Sequence, residues 1–282
     1  MSTVKTLKSV NLSSVTIIGT AIHVILTIIG SIVALILIGT AIPSGIGVVG
    51  ALIPAVVLAS FAYSVYTLFT ESYLYNWLAK RFNTISFEFE DQNTILKISP
   101  VPASLIIAII STIMAIIASI IAMIILPFML SSAVQTLMMT GQSEIAVTLY
   151  QLIMIVSNPV FIAIFIVATF IGTFIYTLIG TYIFNLLTTR IPLKLELNKV
   201  DGITTVEKLD IKSFSFIFAV IGLILGLVSG FTNGISDGNF VNIIIPAVLG
   251  FISGFVVTAI GTFLYNVLAP KLGKVECELI DE

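Results

Sequence analysis

Gly261-Thr-Phe-Leu-Tyr265-Asn266-Val-Leu-Ala-Pro-Lys271-Leu-Gly-Lys-Val-Glu-Cys-Glu278-Leu279 decides the fold, because the chain writes this stretch three times. An apolar helix runs into an aromatic–Asn pair, a basic residue follows, and a short alternating strand with carboxylates comes next. The same order occurs at Tyr75-Asn76…Arg81…Ile85-Ser-Phe-Glu88-Phe89 and at Phe184-Asn185…Arg190…Leu193-Lys-Leu-Glu196-Leu197. With one residue deleted in the second copy, Ile85, Leu193 and Val275 align, as do Glu88, Glu196 and Glu278. Self-similarity of this kind is the signature of a repeat protein.

Composition fixes the surroundings of the repeat. Of 282 residues, 58% are hydrophobic and 9% charged, with a mean hydropathy of +1.19. A soluble domain carries about 25% charged residues. Apolar runs long enough to cross a ~30 Å hydrocarbon core recur along the whole sequence, which predicts an integral membrane protein. Lys5 and Lys8 precede an apolar run from Val15 to Ile42, longer than a signal-peptide core, and no small-residue cleavage site closes it. The single cysteine excludes an intrachain disulfide and a multi-cysteine metal centre.

Taken in order, the first unit (1–91) opens on a short strand and continues through two apolar helices joined by a Pro43–Gly47 turn. The second (92–199) enters its first helix after Pro100 and Pro102 and leaves that helix near Leu126. An amphipathic hairpin over 128–156 follows, with Glu144, Thr148 and Gln151 on one face of its second half. Pro159 then starts the next helix. The third unit (200–282) has two helices separated by a Gly/Asn/Asp loop over Gly230–Gly238. Alternating segments around Asp91 and Asp201 read as two β-hairpins linking the units. A third pairing, first strand against last, would close six strands into a small sheet or barrel without exposed edges.

Charge placement predicts topology. All 12 lysines and arginines fall at the two ends of the chain or on the two hairpin connections. By the positive-inside rule, this gives six transmembrane helices in a multi-pass protein of the cell membrane. Both termini and the six-stranded element are then cytoplasmic.

Each unit thus reads strand–helix–helix–strand. In Leu264-Tyr-Asn-Val-Leu-Ala-Pro-Lys-Leu-Gly273 it resembles a family of small prokaryotic two-helix membrane proteins without assigned function. Their unit ends in Leu-Tyr-Asn-x-x-Ala-x-x-x-Gly-Gly and a Glu-bearing strand. The likeness is fair in the first unit and weakest in the second, where Pro192 stands in place of glycine. It implies a tandem triplication of that unit, and no catalytic residue or substrate.

Two ionisable residues interrupt the apolar runs, His23 and Glu71. Each lies nine or ten residues from a helix end, which at 1.5 Å per residue is roughly 14–16 Å deep. Equal depth on consecutive antiparallel helices makes a direct contact feasible. Glu71 aligns with Gly180 and Gly261, so the first unit carries a carboxylate where the others carry none. Intramembrane charge points to proton or ion handling, against the plainer readings of a structural hydrogen bond or a snorkelling carboxylate. Asn76, Asn185 and Asn266 recur at the membrane boundary. They serve either as caps where helix gives way to strand or as a polar ring around a pseudo-threefold axis. Arg81, Arg190 and Lys271 are the matching boundary cations, and Glu88, Glu196 and Glu278 are expected to be solvated or paired with them. Gly222, Gly226 and Gly230, facing Gly250 and Gly254, read as close helix packing, as does Ala51-x-x-x-Ala55-x-x-x-Ala59.

Enzyme motifs are missing from the sequence: no phosphate-binding loop, dinucleotide fingerprint, zinc-protease motif or serine elbow. The expectation is a non-catalytic protein without cofactor or metal and without a nucleic-acid footprint. Membrane lipids and other integral membrane subunits are its expected partners. A structural or accessory subunit of a larger membrane complex fits best. The alternatives are a small proton or cation transporter or channel, using the repeat axis or His23 and Glu71, and a lipid-interacting protein.

Overall fold

The computed structural model describes residues 2–41, 46–82, 84–237 and 241–281. Their order is β1 (Ser2–Val10), α1 (Leu12–Ala41), α2 (Ile46–Ala79), β2 (Ile85–Glu90), β3 (Thr94–Ile98), α3 (Pro100–Met139), α4 (Ser143–Val156), α5 (Pro159–Thr188), β4 (Leu193–Val200), β5 (Ile203–Leu209), α6 (Ile211–Asp237), α7 (Val241–Leu272) and β6 (Glu276–Asp281). Six of the described helices, all but α4, are long and apolar enough to cross a membrane. Most of the expected turn at Pro43–Gly47 lies outside the described residues, and Ile46 and Gly47 already belong to α2.

The six strands form a closed antiparallel barrel in the order β1-β2-β3-β4-β5-β6. β1 and β6 pair from Lys5↔Asp281 to Val10↔Cys277, so the first and last strands complete the ring. At the hairpin tips the chain turns through left-handed residues: Asp91 and Gln92 (φ 51° and 63°), and Asp201 and Gly202 (φ 50° and 84°). One residue bulges out of the ladder in β1, β3 and β5: Lys8, Leu96 and Glu207. Each stands two places before its strand's last residue, Val10, Ile98 or Leu209. A bulge bends its strand and raises the twist, which a barrel this narrow needs.

Period-2 alternation fills the lumen. Phe89 is 2% exposed and packs with Ile95, Leu193, Leu195 and Leu279, while Phe184 of α5 and Ile217 of α6 join the same core. Eight strands leave an interior just wide enough for side chains, and six leave less. The lumen is a packed core. Lys5 reaches over it, its Nζ 5.4 Å from the Phe89 ring centre.

By its internal contacts the chain divides into residues 1–102 with 180–282, and residues 103–179. Within the former set α6 lies against α7 with backbones touching. A Cβ at Gly222 would fall on the Gly250 carbonyl, one at Gly226 on Pro246 and Ala247, one at Gly230 on Ile243, and one at Gly254 on Phe218. α1 packs on α2, and its Ile18 also clusters with Tyr265 and Ala269 of α7. The alanine stripe Ala51/Ala55/Ala59 does not enter this packing. It is exposed.

Two boundaries differ from expectation. α3 does not stop near Leu126 but runs through Pro127 to Met139. The first half of the expected hairpin is therefore the end of α3, and α4 alone is a separate short helix, entered at Gly141 (φ 79°). Likewise α6 continues through the expected Gly230–Gly238 loop as far as Asp237. Proline removes one helical hydrogen bond, and glycine costs about 1 kcal/mol. Neither outweighs the gain from satisfying backbone groups in an apolar run.

Candidate functional site

The repeated stretches build three copies of one helix–strand junction. Asn76 accepts from the Val10 N–H and donates to the Val10 carbonyl, both at 2.8 Å. Asn185 does the same to Ile98 at 2.8 Å. Asn266 does so to Leu209 at 2.9 and 2.8 Å. One amide thus satisfies both polar groups of the residue where a strand ends and a helix begins. The amides are spent on backbone, and the structure gives no support to a polar ring formed from them.

A phenol finishes the clamp. Tyr75 donates to the Leu7 carbonyl and Tyr265 to the Val206 carbonyl, each at 2.5 Å. The second copy has Phe184 at this place and no hydroxyl to give. There Thr188, one turn on and matching Ala79 and Ala269, donates to Leu96 at 2.5 Å. Asn185 drew attention by recurring; Thr188 did not, although lining up the Asn positions shows a Tyr/Phe/Tyr column beside an Ala/Thr/Ala column.

The strand on the other side is held in the same way. The N–H groups of Asn11, Ser99 and Asp210 donate to the carbonyls of Glu276, Ser86 and Lys194. In return the N–H groups of Glu276 and Lys194 donate to the Ser14 and Ser213 hydroxyls. Ser14 and Ser213 also give their backbone N–H groups to the capping carboxamide of Asn11 and carboxylate of Asp210. The second copy has Pro102 there, with neither N–H nor hydroxyl, and the Ser99 hydroxyl takes the Ser86 N–H instead.

Ion pairs follow strand register. Glu88 pairs with Lys97 at 3.2 Å and Glu278 with Lys8 at 3.0 Å, where Arg81 and Lys271 were expected. Arg81 stacks on Trp77 instead, 4.2 Å from the ring centre. Glu207 pairs with Lys274. The lysine partners hold the Glu278 and Glu207 carboxyls below the ordinary range, and burial pushes the Cys277 thiol up to about 11.

His23 and Glu71 both sit at exposed positions, and no hydrogen bond or ion pair joins them. The contact between α1 and α2 is registered by Thr27 Oγ1 and Ser60 Oγ, 2.7 Å apart, and by Gly19 against Leu68. This antiparallel register sets Glu71 level with Thr16 and His23 level with Ser64. The two ionisable residues are then about 10 Å apart along the axis, so equal depth does not hold. Gly180 and Gly261, which match Glu71, would meet nothing if given a Cβ. The position is open in all three copies.

Between His23 and Glu71 runs a seam of hydroxyls. Thr16, Thr20 and Thr27 share a face of α1; Ser60, Ser64 and Thr67 share one of α2. Thr20 is 6% exposed, and among the described residues its hydroxyl and that of Thr16 have no hydrogen-bond partner, whereas Thr27 and Thr67 bond carbonyls one turn back. Nothing in the apolar composition of α1 singled out these threonines. Compared with known protein families, with curated proteins and with solved structures, the chain matches none.

Proposed function

We propose that this is a non-catalytic integral membrane protein, a tandem triplication of one strand–helix–helix–strand unit, serving as a structural or accessory subunit of a larger membrane assembly. Its barrel and both termini face the cytoplasm, as the lysine and arginine distribution argues. The recurring junction bonds support common descent of the three units. One observation carries the functional reading: the three recurring asparagines are committed to backbone, and the barrel lumen is filled with apolar side chains. What remains for function is the apolar outer surface of the helices. On α2 that surface includes the exposed Ala51/Ala55/Ala59 stripe, a seat for the backbone of a partner helix.

Purification in a mild detergent tests the proposal. Stoichiometric co-purification with other membrane subunits is expected, reduced by Ala55→Leu without loss of helical circular dichroism. Isolation as a free chain that conducts ions in liposomes overturns it. A second reading, proton or cation movement, draws on the unpartnered Thr16 and Thr20 hydroxyls in line with His23 and Glu71. Liposome flux that is absent, or unchanged in His23→Ala and Glu71→Gln, removes that reading.

A further inference from the structure

Where β4 begins and α6 begins, a cavity of about 580 Å³ opens with Lys194 and Lys212 among its lining residues. Its apolar side is made of Ile191, Pro192, Phe216 and Phe255. Phe216 lies one helical turn after Lys212 on the same face of α6, and Phe255 comes from α7, which the glycine contacts hold against α6. Both phenyl rings are open to a ligand, at 43% and 42% exposure. Among the described residues neither lysine ammonium enters an ion pair. The one carboxylate in the lining, Asp210, caps α6 by accepting from the Ser213 N–H at 2.9 Å through one oxygen, and its single negative charge is outnumbered by the two lysines. An adjoining cavity is lined by Lys194 and Lys212 again, with Lys208 and Glu196.

The fold does not need this pair of charges. The positions matching Lys194 are Ser86 and Glu276, those matching Lys212 are Val101 and Ser13, and the same backbone bonds form there. Two ammonium groups without an ion pair among the described residues, lining one cavity with half-exposed aromatic rings, suit a ligand with a phosphate at one end and hydrocarbon at the other. Basic pockets beside membrane helices on the cytoplasmic side have this chemistry. The geometry points to a binding site for the headgroup of an anionic phospholipid, its phosphate on Lys194 and Lys212 and its glycerol and first methylenes on Phe216 and Phe255. A zwitterionic lipid brings its own cation to the lysines and gains less. A soluble phosphate makes no use of the rings.

The site rests on the membrane reading of the helices, and the test separates the two. The full chain is reconstituted in bilayers of equal phosphatidylglycerol and phosphatidylcholine, and retained lipid is measured by native mass spectrometry. Failure to enter the bilayer would count against the membrane reading itself. Once inserted, the wild type is expected to prefer phosphatidylglycerol by about fivefold for each lysine. Lys194→Gln with Lys212→Gln brings the ratio near one, the paired Arg substitutions keep it, and Lys271→Gln leaves it unchanged. Rising salt lowers the wild-type preference, a readout that needs no variant to fold. Equal retention of both lipids by the wild type, an unaltered preference in the double Gln variant, or displacement of the lipid by inorganic phosphate overturns the proposal.

Discussion

Asn185 bonds both polar groups of Ile98, and of the side chains its size only an amide carries the donor and the acceptor this takes. Leucine at this position would leave both groups of Ile98 without a partner, at roughly 1–3 kcal/mol each. Asn185→Leu is accordingly expected to lower stability by about 2–4 kcal/mol in detergent unfolding, with Asn185→Asp in between because it loses only the donor. The Phe184/Thr188 exchange allows a cleaner test. Thr188→Val removes the hydroxyl that serves Leu96 and should cost about 1 kcal/mol. Adding Phe184→Tyr returns a hydroxyl in register with the Ile95 carbonyl, which matches Leu7 and Val206, and should recover only part of the loss because the Leu96 carbonyl stays unserved. Full recovery would show that the new phenol reaches Leu96 after all.

At the scale of elements, the α6–α7 pair depends on the absence of side chains. Gly226→Leu forces a side chain onto the Pro246 and Ala247 backbone and should separate the helices. A cysteine pair placed across this contact should then cross-link less readily, while the barrel keeps its protected amides. Gly202→Ala meets open space, so its cost is the left-handed backbone alone, roughly 1–2 kcal/mol. The elements were largely legible in the sequence. Six apolar runs, the alternation of Ile85/Phe87/Phe89 and of Leu193/Leu195/Leu197, and the turn residues at Asp91 and Asp201 locate the helices and hairpins. Helix ends were less legible at Pro127 and Gly230. Rules for breakers come from helices in water, and in helices of 40 and 27 residues the remaining backbone bonds carry the chain past one proline or glycine. The partners of Glu88 and Glu278 were hidden for another reason. Cross-strand register chooses them, and a one-residue bulge decides which lysine arrives.

For the molecule as a whole, the barrel is where distant parts of the chain meet, and its exposed ion pairs make that meeting sensitive to acid. Lys8–Glu278 joins β1 to β6, and Lys274–Glu207 lies beside β5 and β6. Both carboxyls are held below 4.5, so their contribution is present above that value and is lost as pH falls through their lowered range. Such surface pairs are individually weak. The expected result is therefore local: faster amide exchange in β1 and β6 below the ordinary carboxylate range, with helical circular dichroism unchanged. Equal exchange on all six strands would mean that the seam is not the weak point. Closure could be anticipated, as a sheet or barrel, from strand number and from the removal of edges. The hydroxyl seam and the lysine cavity could not, since each depends on how neighbouring elements are registered.

Pairing the first strand with the last also sets an order in time. β1 is made before the seven described helices, yet its partner β6 emerges only after all of them. Until then β1 and β5 both present open edges, which invite pairing with foreign strands and attack by proteases. A chain stalled or truncated before Glu276 stays marked in this way, and completion of β6 removes the mark. The two pairings of β6 are therefore the last of the six that a growing chain can make.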